Sequence, residues 1–304
     1  MFFRRKLCTA PARRKDAALT KEKNMDYKII ALDLDGTLTN SDKVITEKTR
    51  ERLMDFQKNG GKVMLASGRP TMGIMPHAED LKLDEFGGYI LAYNGGCVID
   101  CKTGKVLFSS DLPAEVIPEI CDIIKDYPVG INTYQDGNII AGSQVNKYTE
   151  TEARINGMEI KFVEDFPGYV DFSVNKCLLQ GEPEVIAELE AVLAEKYEGR
   201  LGIFRSEAYF LEIVPCGIDK AMSIDRLLKM IGISTEECIA CGDGFNDISM
   251  IKYAGLGVAM SNAKKPVKDA ADYITRSNDK DGIAHLLKKI SKPRRRIYFK
   301  RWMR

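Results

Sequence analysis

Histidine is nearly missing from this chain: His77 and His285 are the two among 304 residues. They lie too far apart in sequence to support a His-based mechanism by themselves. No stretch approaches the ~20 apolar residues that a membrane-spanning helix needs, which argues against a membrane-embedded protein. A secretion signal is missing too, since the one apolar start, Met1-Phe2-Phe3, runs straight into Arg4-Arg5-Lys6. The eight cysteines therefore read as reduced thiols in a cytoplasmic setting. Cys238-Ile239-Ala240-Cys241 has the form of half a zinc site, but no second pair and no nearby histidine completes it. It falls in an apolar run that reads as a buried strand, where an offset of three turns the two thiols to opposite faces. Packed thiols are expected there, and at Cys97 and Cys101 around the turn Asp100-Cys101-Lys102-Thr103-Gly104.

The residues present are those of an ordinary globular protein: 44% apolar, 29% charged, 25 Gly and 11 Pro. The length suits about two domains at ~150 residues each. A net charge of +1 conceals an uneven distribution. Residues 1–24 carry eight Lys/Arg against two acids, residues 292–304 carry seven and no acid, and the body between has a net charge of −12. So acidic a body argues against a specific nucleic-acid binder. The two basic ends leave one rival of another class, a non-enzymatic protein that binds polyanions through its tails. Met25 immediately precedes a strand and a motif, so residues 1–24 read as an upstream extension.

Tyr27–Leu32, Lys62–Ala66 and Tyr89–Ala92 are short apolar runs that end in polar, glycine-containing loops, with a helix expected over Thr46–Asn59 and stopped by Gly60-Gly61. Strand, helix, strand is the rhythm of a parallel sheet with helices on its faces. From Cys97 to Pro215 the rhythm changes to short alternating strands and two helices, about Pro113–Asp126 and Pro183–Tyr197. The α/β rhythm then returns with helix Lys220–Ile231, strand Cys238–Cys241, helix Asp247–Tyr253, strands Leu256–Ala259 and Asp272–Ile274, and helix Gly282–Ile290. The expected organisation is a core from 25–96 and 216–291, interrupted by an α+β insert over 97–215. Small residues at Gly95-Gly96 and Pro215-Cys216-Gly217 suit hinges at the two crossings.

Four polar clusters sit beyond expected strands or at a helix start, where open parallel sheets place ligand sites. In Asp33-Leu34-Asp35-Gly36-Thr37, two carboxylates two residues apart project to one side of an extended chain, so one can attack while the other handles protons. Gly36 permits a sharp turn, and Thr37 offers a hydroxyl and a backbone N–H to an anion. Ser67-Gly68-Arg69 suits a phosphate. Lys220 opens a helix, against the dipole's preference for anions there, which suggests an anionic partner. Gly242-Asp243-Gly244-Phe245-Asn246-Asp247 gathers oxygen ligands of the kind Mg²⁺ prefers.

In order and approximate spacing these clusters are similar to the motifs of the haloacid dehalogenase-like phosphatases. The insert, with Asn94-Gly95-Gly96 ahead of it, resembles the large α/β cap of the Cof-type branch. The likeness covers about residues 25–291; the family often has Thr where Ser67 stands, and either hydroxyl can serve. It implies a Rossmann-like parallel-sheet core with an inserted cap, and an Mg²⁺-dependent phosphomonoesterase. The substrates implied are small phosphorylated metabolites, such as sugar phosphates or a phosphorylated cofactor. On this resemblance Asp33 is the nucleophile, Asp35 the general acid and base, and Lys220 orients Asp33 and holds phosphoryl oxygens with Ser67. Thr37, Gly68, Asn94 and Asn246 would contact substrate or edge the pocket. Asp33, the Asp35 carbonyl and Asp243 would hold the metal, supported by Asn246 and Asp247. A phosphomutase, which returns the phosphoryl group to its substrate, shares this chemistry.

Overall fold

The structure is a computed structural model and describes residues 27–290. Expectations for residues 1–24 and 292–304 lie outside the described residues.

The first strand, β1 (Ile29–Leu32), is wholly buried and lies at the middle of an eight-stranded sheet. Its period-two alternation sends Ile30 and Leu32 to one apolar layer with Leu53, Val63, Leu65 and Leu286. Ile29 and Ala31 go to the other, with Met64, Ile224 and Leu227. A strand covered on both faces reads as a continuous apolar run, which is why it was recognisable. Its neighbours are β2 (Lys62–Ala66) and, across the reversal of winding, β12 (Cys238–Gly242), both parallel to it. Beyond β2 follow β3 (Tyr89–Ala92), β4 (Cys97–Asp100) and β5 (Lys105–Ser109). Beyond β12 lie β13 (Leu256–Ala259) and β14 (Tyr273–Ile274).

Helix α1 (Glu47–Lys58) starts where the Thr46 hydroxyl accepts the Thr49 N–H and ends ahead of Gly60, whose φ is +87°. α2 (Thr71–Asp80) and α3 (Leu83–Phe86) connect β2 to β3. Cys238 and Cys241 pack into opposite layers, and burial pushes the Cys238 thiol up to about 12. They are packed thiols.

The insert builds a second sheet in the order β10 (Leu201–Glu207), β11 (Phe210–Pro215), β9 (Cys177–Gln180), β6 (Gly130–Gln135), β7 (Asn138–Gly142), β8 (Glu159–Phe162). α4 (Val116–Ile124) and α7 (Pro183–Lys196) cover one face, packing Ile120 and Leu189 onto Ile131, Leu179 and Leu211. α5 (Lys147–Asn156) lies on the other, where Ala153 meets Ile139 and Ala141. A short α6 (Phe166–Tyr169) follows β8. The chain then re-enters the core as α8 (Lys220–Ile231) and completes it with α9 (Ile248–Tyr253), α10 (Lys265–Ala270) and α11 (Gly282–Ile290).

Two expectations are corrected. β4 and β5 form an antiparallel extension of the core sheet, so the hydrogen-bonded insert begins after Ser109 and not at Cys97. Alternation shows that a strand is half-buried but not which sheet it joins. Gly95 consequently lies inside the core, where a Cβ would meet Ser223 Oγ at 2.6 Å and the Asp219 carbonyl at 2.7 Å. Its role there is close approach, at a φ of +108°, and not that of a hinge. The helix expected at Pro113 begins at Val116, because Pro113 instead forms a turn whose carbonyl accepts the Val116 N–H.

Every expected site residue falls between Asp33 and Asp247, well inside the described residues. A truncated chain spanning 25–292 should therefore keep kcat/KM for a phosphate ester within ~3-fold of the full chain. A loss of ~100-fold with the fold intact by circular dichroism would contradict this.

Candidate active site

Because β1, β2, β3, β12 and β13 run parallel, their carboxyl ends share one edge, and five loops meet there beside the reversal of winding. Asp33 follows β1 directly, its N–H donating to the Cys241 carbonyl at 3.0 Å. Ser67-Gly68-Arg69 follows β2, Tyr93-Asn94 follows β3, and the Gly242–Asp247 loop follows β12.

Lys220 comes to this edge from the far side of the insert as the first residue of α8. Asp219 caps the helix by accepting the Met222 N–H at 2.7 Å, so Lys220 is free to turn away from the helix end. Its ammonium is fully buried and donates to Asp33 Oδ1 at 2.7 Å and Asp247 Oδ1 at 2.6 Å. Asp247 Oδ2 accepts the N–H groups of Asp243 and Gly244 at 3.0 and 2.8 Å, which fixes the loop around it. Asp243 is held in turn by the Thr37 hydroxyl at 2.6 Å. Thr37 was expected to present its hydroxyl and N–H to an anion. Instead the hydroxyl orients Asp243 and the N–H goes to the Leu34 carbonyl. Gly36 makes the approach possible: its φ is +81°, and a Cβ would sit 2.4 Å from Asp243 Oδ2.

Burial raises the Asp33 carboxyl to about 8, reinforced by Asp247 and opposed by Lys220. Burial raises Asp243 as well, partly offset by the Thr37 hydrogen bond. Burial alone would lower Lys220, but Asp247 and Asp33 outweigh it and hold the ammonium charged. Three carboxylates thus face one ammonium in a dry site. Asp33, Asp243 and Asp247 each bring an oxygen within 4.8 Å of the others. Asp247 has committed both oxygens, so Asp33 and Asp243 are the ligands with lone pairs to offer. Two carboxylates with an excess of buried negative charge fit a small, hard, oxygen-seeking cation of the Mg²⁺ type.

Asp35 lies on the opposite side, 37% exposed at its side chain. Arg69 grips it with Nε on Oδ2 at 2.8 Å and Nη2 on Oδ1 at 2.7 Å, and Lys43 adds a third bond at 2.7 Å. Burial would raise this carboxyl, but Arg69 and Lys43 prevail and hold it below the usual range. Arg69 Nη1 also donates to the Ile155 carbonyl of α5 at 3.3 Å, tying the core loop to the insert. Ser67 is buried and its Oγ accepts the Arg69 N–H at 3.2 Å. Asn94, left-handed with φ of 56°, bonds Asn246 at 2.9 Å along the rim. Asn246 therefore sits along Asn94's edge of the pocket.

Sequence reasoning missed Lys43 and Asn262, whose Nδ2 donates to the Gly36 carbonyl at 2.8 Å. Asn262 lies just beyond β13, so a search for polar residues after every strand would have found it. Arg69, expected only as part of a phosphate-binding cluster, is instead the partner of Asp35.

A buried aspartate clamped by a lysine, a second acid two residues on, and a carboxylate pair shaped for a divalent cation define a phosphoryl-processing hydrolase built at the edge of a doubly wound sheet. The chain belongs to the haloacid dehalogenase-like hydrolases, whose family model matches residues 30–287. Its insert is the cap of the Cof-type branch, and the protein is a phosphatase. A haloacid dehalogenase-like hydrolase from Bacteroides thetaiotaomicron is 47% identical, covers 87% of this chain and 99% of its own, and superposes with a TM-score of 0.85. The 5-amino-6-(5-phospho-D-ribitylamino)uracil phosphatase YcsE of Bacillus subtilis is 30% identical over 88% of this chain and 97% of its own. The structure of a subclass IIB sugar phosphatase, BT4131, is 28% identical over 86% and 98%, with a TM-score of 0.73.

The raised Asp33 carboxyl has a thermodynamic consequence. Its folded value of about 8 exceeds the unfolded ~3.9, so its contribution to stability is complete below pH ~4 and is lost as pH rises toward 8. In chelator, Asp33→Asn should raise Tm by ~2–4 °C at pH 8 and by less at pH 5. Added Mg²⁺ should narrow the pH 8 difference. An Asn variant that is less stable than wild type at pH 8 in chelator would refute the charge imbalance.

Proposed function

We propose that the protein hydrolyses phosphomonoesters of small metabolites, sugar phosphates or a phosphorylated cofactor among them, through an aspartyl phosphate on Asp33. The observation that carries this is the Lys220 clamp: it holds one oxygen of Asp33 at 2.7 Å and so fixes the carboxylate beside the phosphate loop at Ser67-Gly68. In the first displacement the other Asp33 oxygen bonds to phosphorus, the ester P–O bond breaks, and the departing oxygen takes a proton from Asp35. In the second, water attacks phosphorus, gives its proton to Asp35, and the bond to Asp33 breaks to release phosphate. Dividing one displacement into two avoids a single harder barrier, and a placed acid is worth ~10²–10⁴-fold.

Ser67 and Lys220 would hold the phosphoryl oxygens, with Gly68 and Asn94 at the pocket wall. Asp33, the Asp35 carbonyl and Asp243 would hold Mg²⁺, with Asp247 and Asn246 supporting them from behind. Bound there, Mg²⁺ offsets the repulsion between carboxylate and dianionic phosphate. The activities carried in the names of the two phosphatase relatives, on a phosphoribitylamino compound and on sugar phosphates, support a small phosphorylated metabolite. The seven free cysteines among the described residues suit a cytoplasmic setting.

The stereochemistry at phosphorus tests the covalent step. Two in-line displacements give net retention with a chiral phosphate ester, while direct attack by water gives inversion and removes Asp33 from the nucleophile's role. Release of phosphate without isomer formation separates hydrolase from phosphomutase. A pH profile tests Asp35: because Arg69 holds its carboxyl down, Arg69→Gln should raise it and move the alkaline limb of kcat/KM upward. A limb that moves downward would contradict Asp35 as the acid.

A further inference from the structure

The insert's second sheet has one face sealed by α4 and α7. The other face turns toward the phosphoryl site, as two contacts establish. Tyr134 of β6 sets its ring centre 5.9 Å from that of Tyr93, tilted by 45°, and Lys176, just ahead of β9, donates to the Gly68 carbonyl at 3.4 Å. On this face the strand registers place Asn132 of β6 opposite Leu178 of β9, and Leu178 opposite Glu212 of β11. Lys176 lies two residues before Leu178 and so shares its side.

These polar groups are deeply buried: Asn132 is 0%, Lys176 3% and Glu212 5% exposed. Their mutual bonding is incomplete. Lys176 Nζ is 3.6 Å from Glu212 Oε1 and 5.4 Å from the Tyr134 ring centre, but Glu212 Oε2 has no partner among the described residues. Neither end of the Asn132 amide has one either. Gln57, Asn156 and Gln180 also leave an oxygen unpaired, yet each bonds through its nitrogen. A buried amide with both ends unpaired is a stability cost that a purely structural residue would not carry.

We infer that Asn132, Glu212 and Lys176 form the recognition surface for the leaving group, and that the substrate is the monophosphate of a neutral polyhydroxy compound, a sugar or sugar alcohol. This deepens the hydrolase reading and rests on it. The Asn132 amide, one donor end and one acceptor end, matches two adjacent hydroxyls. Glu212 Oε2 accepts from a further hydroxyl. Lys176 is committed to Glu212 and the Gly68 carbonyl, so this face offers no free positive charge to a second anionic group on the substrate, which is turned away.

The experiment compares kcat/KM for a panel of hexose, pentose and sugar-alcohol monophosphates with that for phenyl phosphate, in wild type, Asn132→Leu and Glu212→Gln. In wild type the best sugar monophosphate should exceed phenyl phosphate by ~10-fold or more, and 6-phosphogluconate should fall ~10-fold or more below glucose 6-phosphate. Asn132→Leu should cut the sugar-to-phenyl ratio by ~30-fold while Tm stays level or rises, because an unpartnered amide is replaced by an apolar side chain of similar size. Glu212→Gln should raise the ratio of 6-phosphogluconate to glucose 6-phosphate by ~10-fold, a gain that a structural role cannot supply. An unchanged sugar-to-phenyl ratio in Asn132→Leu, or equal losses on both esters with a lower Tm, overturns the assignment of these residues. A wild-type preference for 6-phosphogluconate overturns the neutral substrate. Turnover of no ester at all overturns the hydrolase reading itself, and this inference with it.

Discussion

A fully buried ammonium is the constraint from which the rest of the core follows. Lys220 can be charged in that position because two carboxylates meet it, Asp33 at 2.7 Å and Asp247 at 2.6 Å. Removing Asp247 would leave that ammonium with only Asp33, whose carboxyl burial pushes toward the neutral form, so the cost would exceed what the pair itself contributes. The three groups come from the end of β1, the start of α8 and the loop after β12, separated by the whole insert. The chain must therefore return to the same edge after a second domain. The Asp247 end is tightly drawn: a Cβ on Gly242 would lie 2.4 Å from the Asp247 Cβ, so the loop admits only glycine there.

Charge is divided across the site. On the Asp33 side three acids face one cation; on the Asp35 side one acid faces Arg69 and Lys43. On the proposed reading a divalent cation would sit on the first side and a phosphate dianion between the two. Each is drawn by the half it complements, and both together leave the buried charge no larger than before. The polarity lies along the direction in which the phosphoryl group would move, from leaving oxygen near Asp35 to carboxylate at Asp33.

Much of this was legible in the sequence where local patterns carry the information. β1, β2, β3 and β12 announced themselves as apolar runs ended by polar loops, since parallel strands covered on both faces leave little room for anything else. Asp33, Asp35, Ser67, Lys220 and Asp243 stood out because each follows such a run or opens a helix. The boundary of the insert was not legible, for Cys97–Ser109 alternates in the same way whichever sheet it joins. Nor was the grip of Arg69 and Lys43 on Asp35, because long side chains reach partners that spacing does not specify. Asn132 and Glu212 are 80 positions apart, and only strand register sets them on one face.

Arg69 joins two events that would otherwise be independent. One side chain holds the Asp35 carboxylate and the Ile155 carbonyl of α5, so the charge on the acid and the seating of the cap are thermodynamically linked. Protonating Asp35 weakens the guanidinium's hold on it and loosens that tether; withdrawing α5, reciprocally, removes a bond that holds Arg69 in place and weakens its grip on the carboxylate. On the proposed mechanism each proton that passes through Asp35 is also a small mechanical signal, and the cap is least firmly anchored when that acid is protonated.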